Sequence, residues 1–163
     1  MAVQPVVLYP DERLKTVCAP IEPGEEAVAI ARDLLDTMNT VPGVGIAAPQ
    51  IGVLRRVVLV DASRNPRHPP GQGLVLLVNP VIVHSEGDQT FKEGCLSIPQ
   101  YLARIHRAQC ITVEAWTPEG EAVRFDAEGF EAVVLQHEID HLDGILFLDR
   151  IRDLRRDLYE RKG

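Results

Sequence analysis

Gln136-His137-Glu138-Ile139-Asp140-His141-Leu142-Asp143-Gly144 is the stretch on which the reading of this chain turns. Two histidines four apart on an α-helix lie about one turn from each other, so both imidazoles leave the same face and can share a metal ion. Glu138 follows the first histidine and points to the flank of that face, within reach of a water held by such a metal. The plain alternative is a helix with two buried, hydrogen-bonded histidines. Phe130, Val134, His137 and His141 follow the i, i+4, i+7, i+11 spacing, which puts the histidines on the apolar side of the helix. Imidazoles aimed into a core need polar partners. Asp126 is expected to cap this helix, which begins near Gly129, and Gly144 to stop it.

A catalytic metal site uses three protein ligands and keeps one position open. Downstream of His141 there is no further histidine, and the only later glutamate is Glu160, in a charged tail, so a downstream third ligand fits poorly. Cys95 is the better candidate. A thiolate binds zinc or ferrous iron well, and Gly94 beside it leaves the backbone free to approach a ligand. Cys18 and Cys110 read as buried small hydrophobes. His68, His84 and His106 read as loop or strand-surface residues.

Further upstream, Gly43-Val44-Gly45-Ile46-Ala47-Ala48-Pro49-Gln50 consists of residues that let a backbone lie close to something else. Such a segment can offer its backbone to a bound peptide and the Gln50 amide to an oxygen. Val28, Ala31, Leu34, Leu35 and Met38 predict an amphipathic helix over 25–39, ending before Pro42-Gly43. Residues 5–9 read as a short extended segment, with a turn at Pro10-Asp11-Glu12. Apolar, β-branched runs over 56–61 and 74–83, separated by a Pro/Gly/Arg-rich loop over 63–73, predict strands. Cys110 to Trp116 and Ala122 to Phe125, joined by Pro118-Glu119-Gly120, form a hairpin pattern. Residues 150–162 read as a last charged helix or tail.

A chain of 163 residues suits one domain, here 1–163, able to bury about two-thirds or more of its unfolded surface. Its hydrophobic fraction of 45% and charged fraction of 25% are those of a globular protein. A net charge of -7 argues against broad nucleic-acid binding. No apolar run approaches the ~18 residues that a membrane span requires. The start, Met1-Ala2-Val3-Gln4-Pro5, lacks the marks of a signal or transit peptide, and three cysteines, an odd number, point to reduced thiols in a cytoplasm.

Taken together, Gly43 to Gln50, Glu93 to Ser97 and Gln136 to His141 resemble the three motifs of the peptide deformylase family, in that family's order and approximate spacing. Pro10-Asp11-Glu12-Arg13-Leu14, Asn79-Pro80, Ile98-Pro99, and Leu142 with Gly144 match as well, so the resemblance covers nearly the whole chain. It implies removal of the formyl group from the N-terminal formylmethionine of nascent chains, yielding formate and a free amine. By resemblance, Cys95, His137 and His141 bind one divalent metal, Fe2+ in the cell, with Zn2+, Ni2+ or Co2+ able to occupy the site. Glu138 is then the general base and acid, and the Gln50 side chain and Leu96 backbone N–H join the metal in stabilising the oxyanion. The peptide would pair in strand fashion with Val44, Gly45 and Gly94, and its methionine would enter a pocket lined by Phe130, Val133, Val134 and His137.

The fold that follows is α+β: antiparallel β-sheets surrounding a central helix that carries His137 and His141, with an N-terminal helix and a short C-terminal helix. One departure concerns the peptide side. Several bacterial members carry an arginine seven residues after the metal-binding cysteine, and Leu102 stands there in this chain. Leu102 leaves room for a second reading, a deformylase-like hydrolase acting on another N-acyl group or amide. A third reading is a structural metal site or a ribosome-associated binding module, but Glu138 argues against it, since a structural site has no use for a general base. The tail from Arg150 to Gly163 carries six basic and three acidic residues and reads as a solvated amphipathic helix. Family extensions at this end can dock on the ribosome, which makes transient ribosome contact a further expectation.

Overall fold

The computed structural model describes residues 2–161. Helix α1 spans Glu25–Met38, and strands β1 (Gly45–Ala47), β2 (Val57–Asp61) and β3 (Leu74–Glu86) follow it. Then come β4 (Gln89–Cys95), β5 (Ile98–Arg107), β6 (Cys110–Trp116), β7 (Ala122–Glu128), α2 (Gly129–Leu142), the single turn α3 (Leu154–Asp157) and β8 (Leu158–Glu160). One sheet has the order β1-β2-β3-β6-β7 and the other β4-β5-β8, and every ladder between these strands is antiparallel. This is the α+β architecture expected from sequence. No helix among the described residues is long and apolar enough to cross a membrane.

β2 explains why residues 57–60 are an unbroken apolar run. Side chains alternate across a strand, and both faces of this one are covered. Val58 and Val60 pack toward α2 with Leu135 and Leu142, while Val57 and Leu59 pack toward α1 with Leu34 and Met38. The core stripe of α1 is Ala27, Ile30, Ala31, Leu34 and Met38, with Val28 and Leu35 at its margin. Fully burying a leucine such as Leu34 or Leu135 contributes roughly 1.5–3 kcal/mol, so these two helices are held by packing rather than by propensity.

Helix α2 differs from a one-sided amphipathic helix. Residues 131–135 and 137–142 are all buried, leaving only Gln136 of that stretch partly exposed. A helix buried on all sides belongs to a core, here between the large sheet and the strand that carries Cys95, and its buried polar residues must find partners there. Asp126 does not cap it. That residue lies in β7, where its carboxylate accepts from Thr112 Oγ1 at 2.7 Å, and the N-cap position is Glu128, with no side-chain cap bond. Gly144 does end the helix region, at φ 72°, in space that a side chain would share with the Lys15 carbonyl at 2.6 Å.

The segment 5–9 joins neither sheet; the backbone N–H groups of Val7 and Tyr9 donate to the carbonyls of Gln50 and Ser97. Two other segments carry structure that the sequence pattern does not announce. β5 has no clear strand signature in the sequence because Pro99, Gln100 and Tyr101 are exposed and its inward positions, Ala103, Ile105 and Arg107, end on a charge. The tail is not one amphipathic helix: a single turn is followed by β8, which pairs with β5. Lys162 and Gly163 lie outside the described residues.

Candidate active site

Cys95 closes β4, and a two-residue turn, Leu96-Ser97, returns the chain into β5 with Cys95 opposite Ile98. This hairpin tip sets the cysteine against α2. The ligand atoms of Cys95, His137 and His141 all lie within 4.8 Å of one another, and all three residues are buried. Cys95 Sγ stands 3.4 Å from His141 Nε2. Ligand bonds of 2.0–2.3 Å at a tetrahedral angle would separate two donors by about 3.5 Å, so this spacing suits a zinc-like or ferrous ion. A thiolate and two imidazoles, with no fourth His, Cys or carboxylate in the group, are the donor set of a site that keeps a position open.

The polar atoms around this cluster support the same conclusion. Glu138 Oε1 and His141 Nδ1 are buried and have no hydrogen-bond partner among the described residues. A buried carboxylate oxygen with no partner is costly unless a ligand meets it. Burial pushes the Glu138 carboxyl up to about 7, against the opposing pull of the His137 and Arg107 charges. Burial, and then the positive neighbours His137 and Arg107, hold His141 well below the usual histidine range, which favours the neutral form that ligates metals.

Glu138 can occupy its place because residue 45 is glycine. A Cβ on Gly45 would stand 2.6 Å from Glu138 Oε2 and 2.9 Å from Val134 Cγ1. Gln50, in the 3-10 turn after β1, is fixed at both ends of its amide. Its Oε1 accepts from Ala47 N at 2.9 Å, so its Nε2 must point the other way, toward Ser97 Oγ at 3.1 Å and Cys95 Sγ at 3.6 Å. The Leu96 side chain packs on Gly43, which places the hairpin tip beside the 43–50 segment.

A cleft of about 740 Å³ opens above these groups. Val44, Gly45, Gly94, Phe130, Val133 and Val134, singled out from sequence, all line it, as do Gln50, Cys95, Leu96, His137 and Glu138. His141 lies deeper and is absent from the lining. His68 is more than a surface residue: its ring stacks on Phe130 at 4.2 Å between centroids and tethers the 63–73 loop over that pocket wall. Leu102 lies against Gly94, with its Cδ2 3.0 Å from where a Cβ on that glycine would be.

The groups that hold His137 were not singled out from sequence. Its Nδ1 meets Glu93 Oε1 at 2.9 Å, Arg107 donates to both oxygens of Glu93 at 2.6 and 3.0 Å, and Arg107 also reaches Asp140 at 2.9 Å. Asp140 accepts in turn from Arg150 at 2.7 Å. Desolvation works to raise the Glu93 carboxyl, but the hydrogen bonds from His137 and Arg107 outweigh it and keep that carboxyl below its ordinary value. The signal lies in β5, where Arg107 continues the inward alternation of Ala103 and Ile105; a charge at such a position announces a buried partner.

With this geometry in view, a profile of the polypeptide deformylase family matches residues 3–157. The peptide deformylase of Syntrophobacter fumaroxidans is 39% identical over 163 residues, spanning 99% of this chain and 94% of that protein. Among solved structures, a peptide deformylase from Legionella pneumophila is similar at a TM-score of 0.86 and 39% identity, covering 95% of this chain and 89% of the other. A Met-Ala-Ser bound class I type b peptide deformylase from Acinetobacter baumannii has a TM-score of 0.86 at 38% identity, covering 92% of this chain and 99% of the other.

Proposed function

The chain belongs to the polypeptide deformylase family, and we propose that within it Cys95, His137 and His141 hold the metal while Glu138 handles the proton. The enzyme removes the formyl group from the N-terminal formylmethionine of newly made proteins and releases formate. An amide carbonyl is a poor electrophile and an amine a poor leaving group, so the reaction needs an activated water, donors for the developing negative charge, and a proton source. A divalent ion held by these three residues would supply Lewis acidity and ease the loss of a proton from water near neutral pH.

The remaining roles fall to the chain's own groups. Glu138 takes a proton from the attacking water and passes it to the departing amine, its carboxylate lining the cleft where that transfer occurs. Gln50 Nε2, oriented by the Ala47 bond to its oxygen, and the Leu96 backbone N–H donate to the oxygen on which charge develops. Glu93 holds His137 by Nδ1, which leaves Nε2 as the ligating nitrogen. The peptide backbone runs along Val44, Gly45 and Gly94, and Phe130, Val133 and Val134 receive the methionine side chain. The likeness to a Met-Ala-Ser bound deformylase supports a peptide that begins with methionine as the ligand.

The observation that carries the assignment is the meeting of three ligand atoms within 4.8 Å beside an unpartnered carboxylate oxygen. Iron-loaded, anaerobically purified protein is expected to release formate from formyl-Met-Ala-Ser. Glu138→Gln should keep its metal while its rate falls by roughly 10²–10⁴-fold. A wild-type rate in that variant would refute the role of Glu138, and full metal binding after Cys95→Ala would refute the ligand set.

The physiological ion in this reading is ferrous iron, with zinc, nickel or cobalt as workable substitutes. A thiolate beside ferrous iron is prone to oxidation, so activity of the iron form should decay in air while a nickel form persists. The reading also takes 1–163 as one catalytic domain working in the cytoplasm. It assigns transient ribosome contact to the basic tail, where Arg152 and Arg155 are exposed. Unchanged cosedimentation with ribosomes after both are replaced by glutamate would count against that contact.

A further inference from the structure

Three cationic side chains border the cleft among the described residues: Arg64, Lys92 and Arg161. Two of them are engaged. Arg64 donates to Asn39 Oδ1 at 2.8 Å and to Asp61 Oδ2 at 3.3 Å, and Lys92 Nζ lies 4.4 Å above the Tyr159 ring. The guanidinium of Arg161 makes no hydrogen bond or ion pair among the described residues, although the Arg161 backbone is tied down.

The position of Arg161 follows from an irregularity in the small sheet. The β4–β5 ladder pairs Glu93 with Ala103 and then Cys95 with Ile98, so β5 bulges opposite Gly94. β8 pairs with this part of β5, Leu102 opposite Tyr159 and Tyr101 opposite Glu160, and Arg161 N donates to the Gln100 carbonyl at 2.8 Å. The chain is thereby led to the rim of the cleft. A Cβ on Gly94 would stand 2.6 Å from Arg161 Nη2, so the guanidinium lies directly against this glycine, next in sequence to Cys95. Leu102 contributes only an apolar wall at the same spot.

We infer that Arg161 is a specificity-determining residue whose guanidinium binds carbonyl oxygens and carboxylates of the peptide segment that follows the N-terminal methionine. The inference rests on the proposed function, in which the substrate backbone passes Gly94. A chain laid along Gly94 with its methionine in the Phe130 pocket brings its next residues under a cation with free donors. Acidic residues there gain charge-assisted hydrogen bonds, and basic residues meet repulsion. Because Arg161 is exposed, the effect is screened by salt and modest in size.

The test compares formyl-Met-Ala-Asp with formyl-Met-Ala-Lys. The wild-type enzyme should favour the aspartyl peptide about fivefold in kcat/KM at low salt, with the difference carried by KM and shrinking as salt is added. Arg161→Ala should abolish the preference, and Arg161→Glu should reverse it. An aspartyl-to-lysyl ratio unchanged in both variants overturns the inference, as does an equal loss for both peptides, which would mark the tail as structural. Calorimetric binding of Met-Ala-Asp and Met-Ala-Lys reads the same preference without turnover. A protein that bound with this charge preference yet released no formate would refute the deformylase reading and leave the role of Arg161 standing.

Discussion

Glu93 Oε1 and His137 Nδ1 meet at 2.9 Å, and the carboxylate that makes this contact is clamped from its other side by Arg107. An ionised carboxylate can only accept, so the contact fixes the proton of His137 on Nδ1 and turns Nε2 toward Cys95 and His141. The geometry of the proposed metal site thus depends on a residue two positions before Cys95 in the hairpin and on an arginine at the far end of β5.

Glu93→Gln keeps the size of the side chain but removes its charge. Metal affinity should fall about 10–100-fold, because partners of this kind set both the orientation and the basicity of a ligating histidine. Competition with a coloured chelator measures it; an affinity equal to wild type would show that His137 needs no such support.

Gly45→Ala tests the fit of Glu138 against β1. The new methyl would lie 2.6 Å from Glu138 Oε2 and 2.9 Å from Val134 Cγ1, and both of those residues are buried. We expect a stability loss of about 1–3 kcal/mol from overpacking. On the role proposed for Glu138, kcat should also drop roughly 10²-fold, since displacing a catalytic group by about 1 Å has effects of that order. A variant with wild-type kcat would show that Glu138 is less constrained than its contacts indicate.

Arg107→Ala leaves Glu93 and Asp140 without the cation that joins them, inside a region where the arginine side chain is 2% exposed. Removing one member of a buried ionic cluster costs about 3–5 kcal/mol. For a chain of this size the melting temperature should fall by roughly 10 °C. A shift below about 2 °C in thermal melts would mean that the cluster relaxes or admits water.

Asp149 links the last 3-10 turn, Phe147–Arg150, to the first, Glu12–Lys15, by bonding Lys15 Nζ and the Leu146 backbone N–H. Partial burial works to raise its carboxyl, but these two hydrogen bonds dominate and place it below the ordinary value of 3.8. A depressed carboxyl adds stability above its unfolded value, and that stability is lost as pH falls through the folded one. Asp149→Asn should therefore lower stability at pH 7 by no more than about 1 kcal/mol, the site being partly solvent-exposed, and should flatten the decline in stability below about pH 4. Denaturant titrations at about pH 3 and pH 7 that gave the same difference between the two proteins would contradict this.

What short-range geometry dictates is legible in the amino-acid order without any coordinates. Four residues on a helix make about one turn, so His137 and His141 had to share a face, and Glu138 had to lie beside it. Glycines at 45 and 94 likewise mark where other groups come close, the Glu138 carboxylate at one and the Arg161 guanidinium at the other, and the alternation of β6 and β7 marks a hairpin. Register and packing settled the rest, and these exist only in the folded chain. The β4–β5 pairing brings Cys95 to the two histidines, burial on both sides makes α2 central, and the Arg107–Glu93–Asp140 cluster joins a strand, a hairpin and a helix. The tail offers no local pattern that foretells a strand, because β8 exists only through its bonds to β5, and those bonds carry Arg161 to the cleft. Local periodicity reports the faces of single elements; which faces meet is set by hydrogen bonds and packing between residues far apart in the chain.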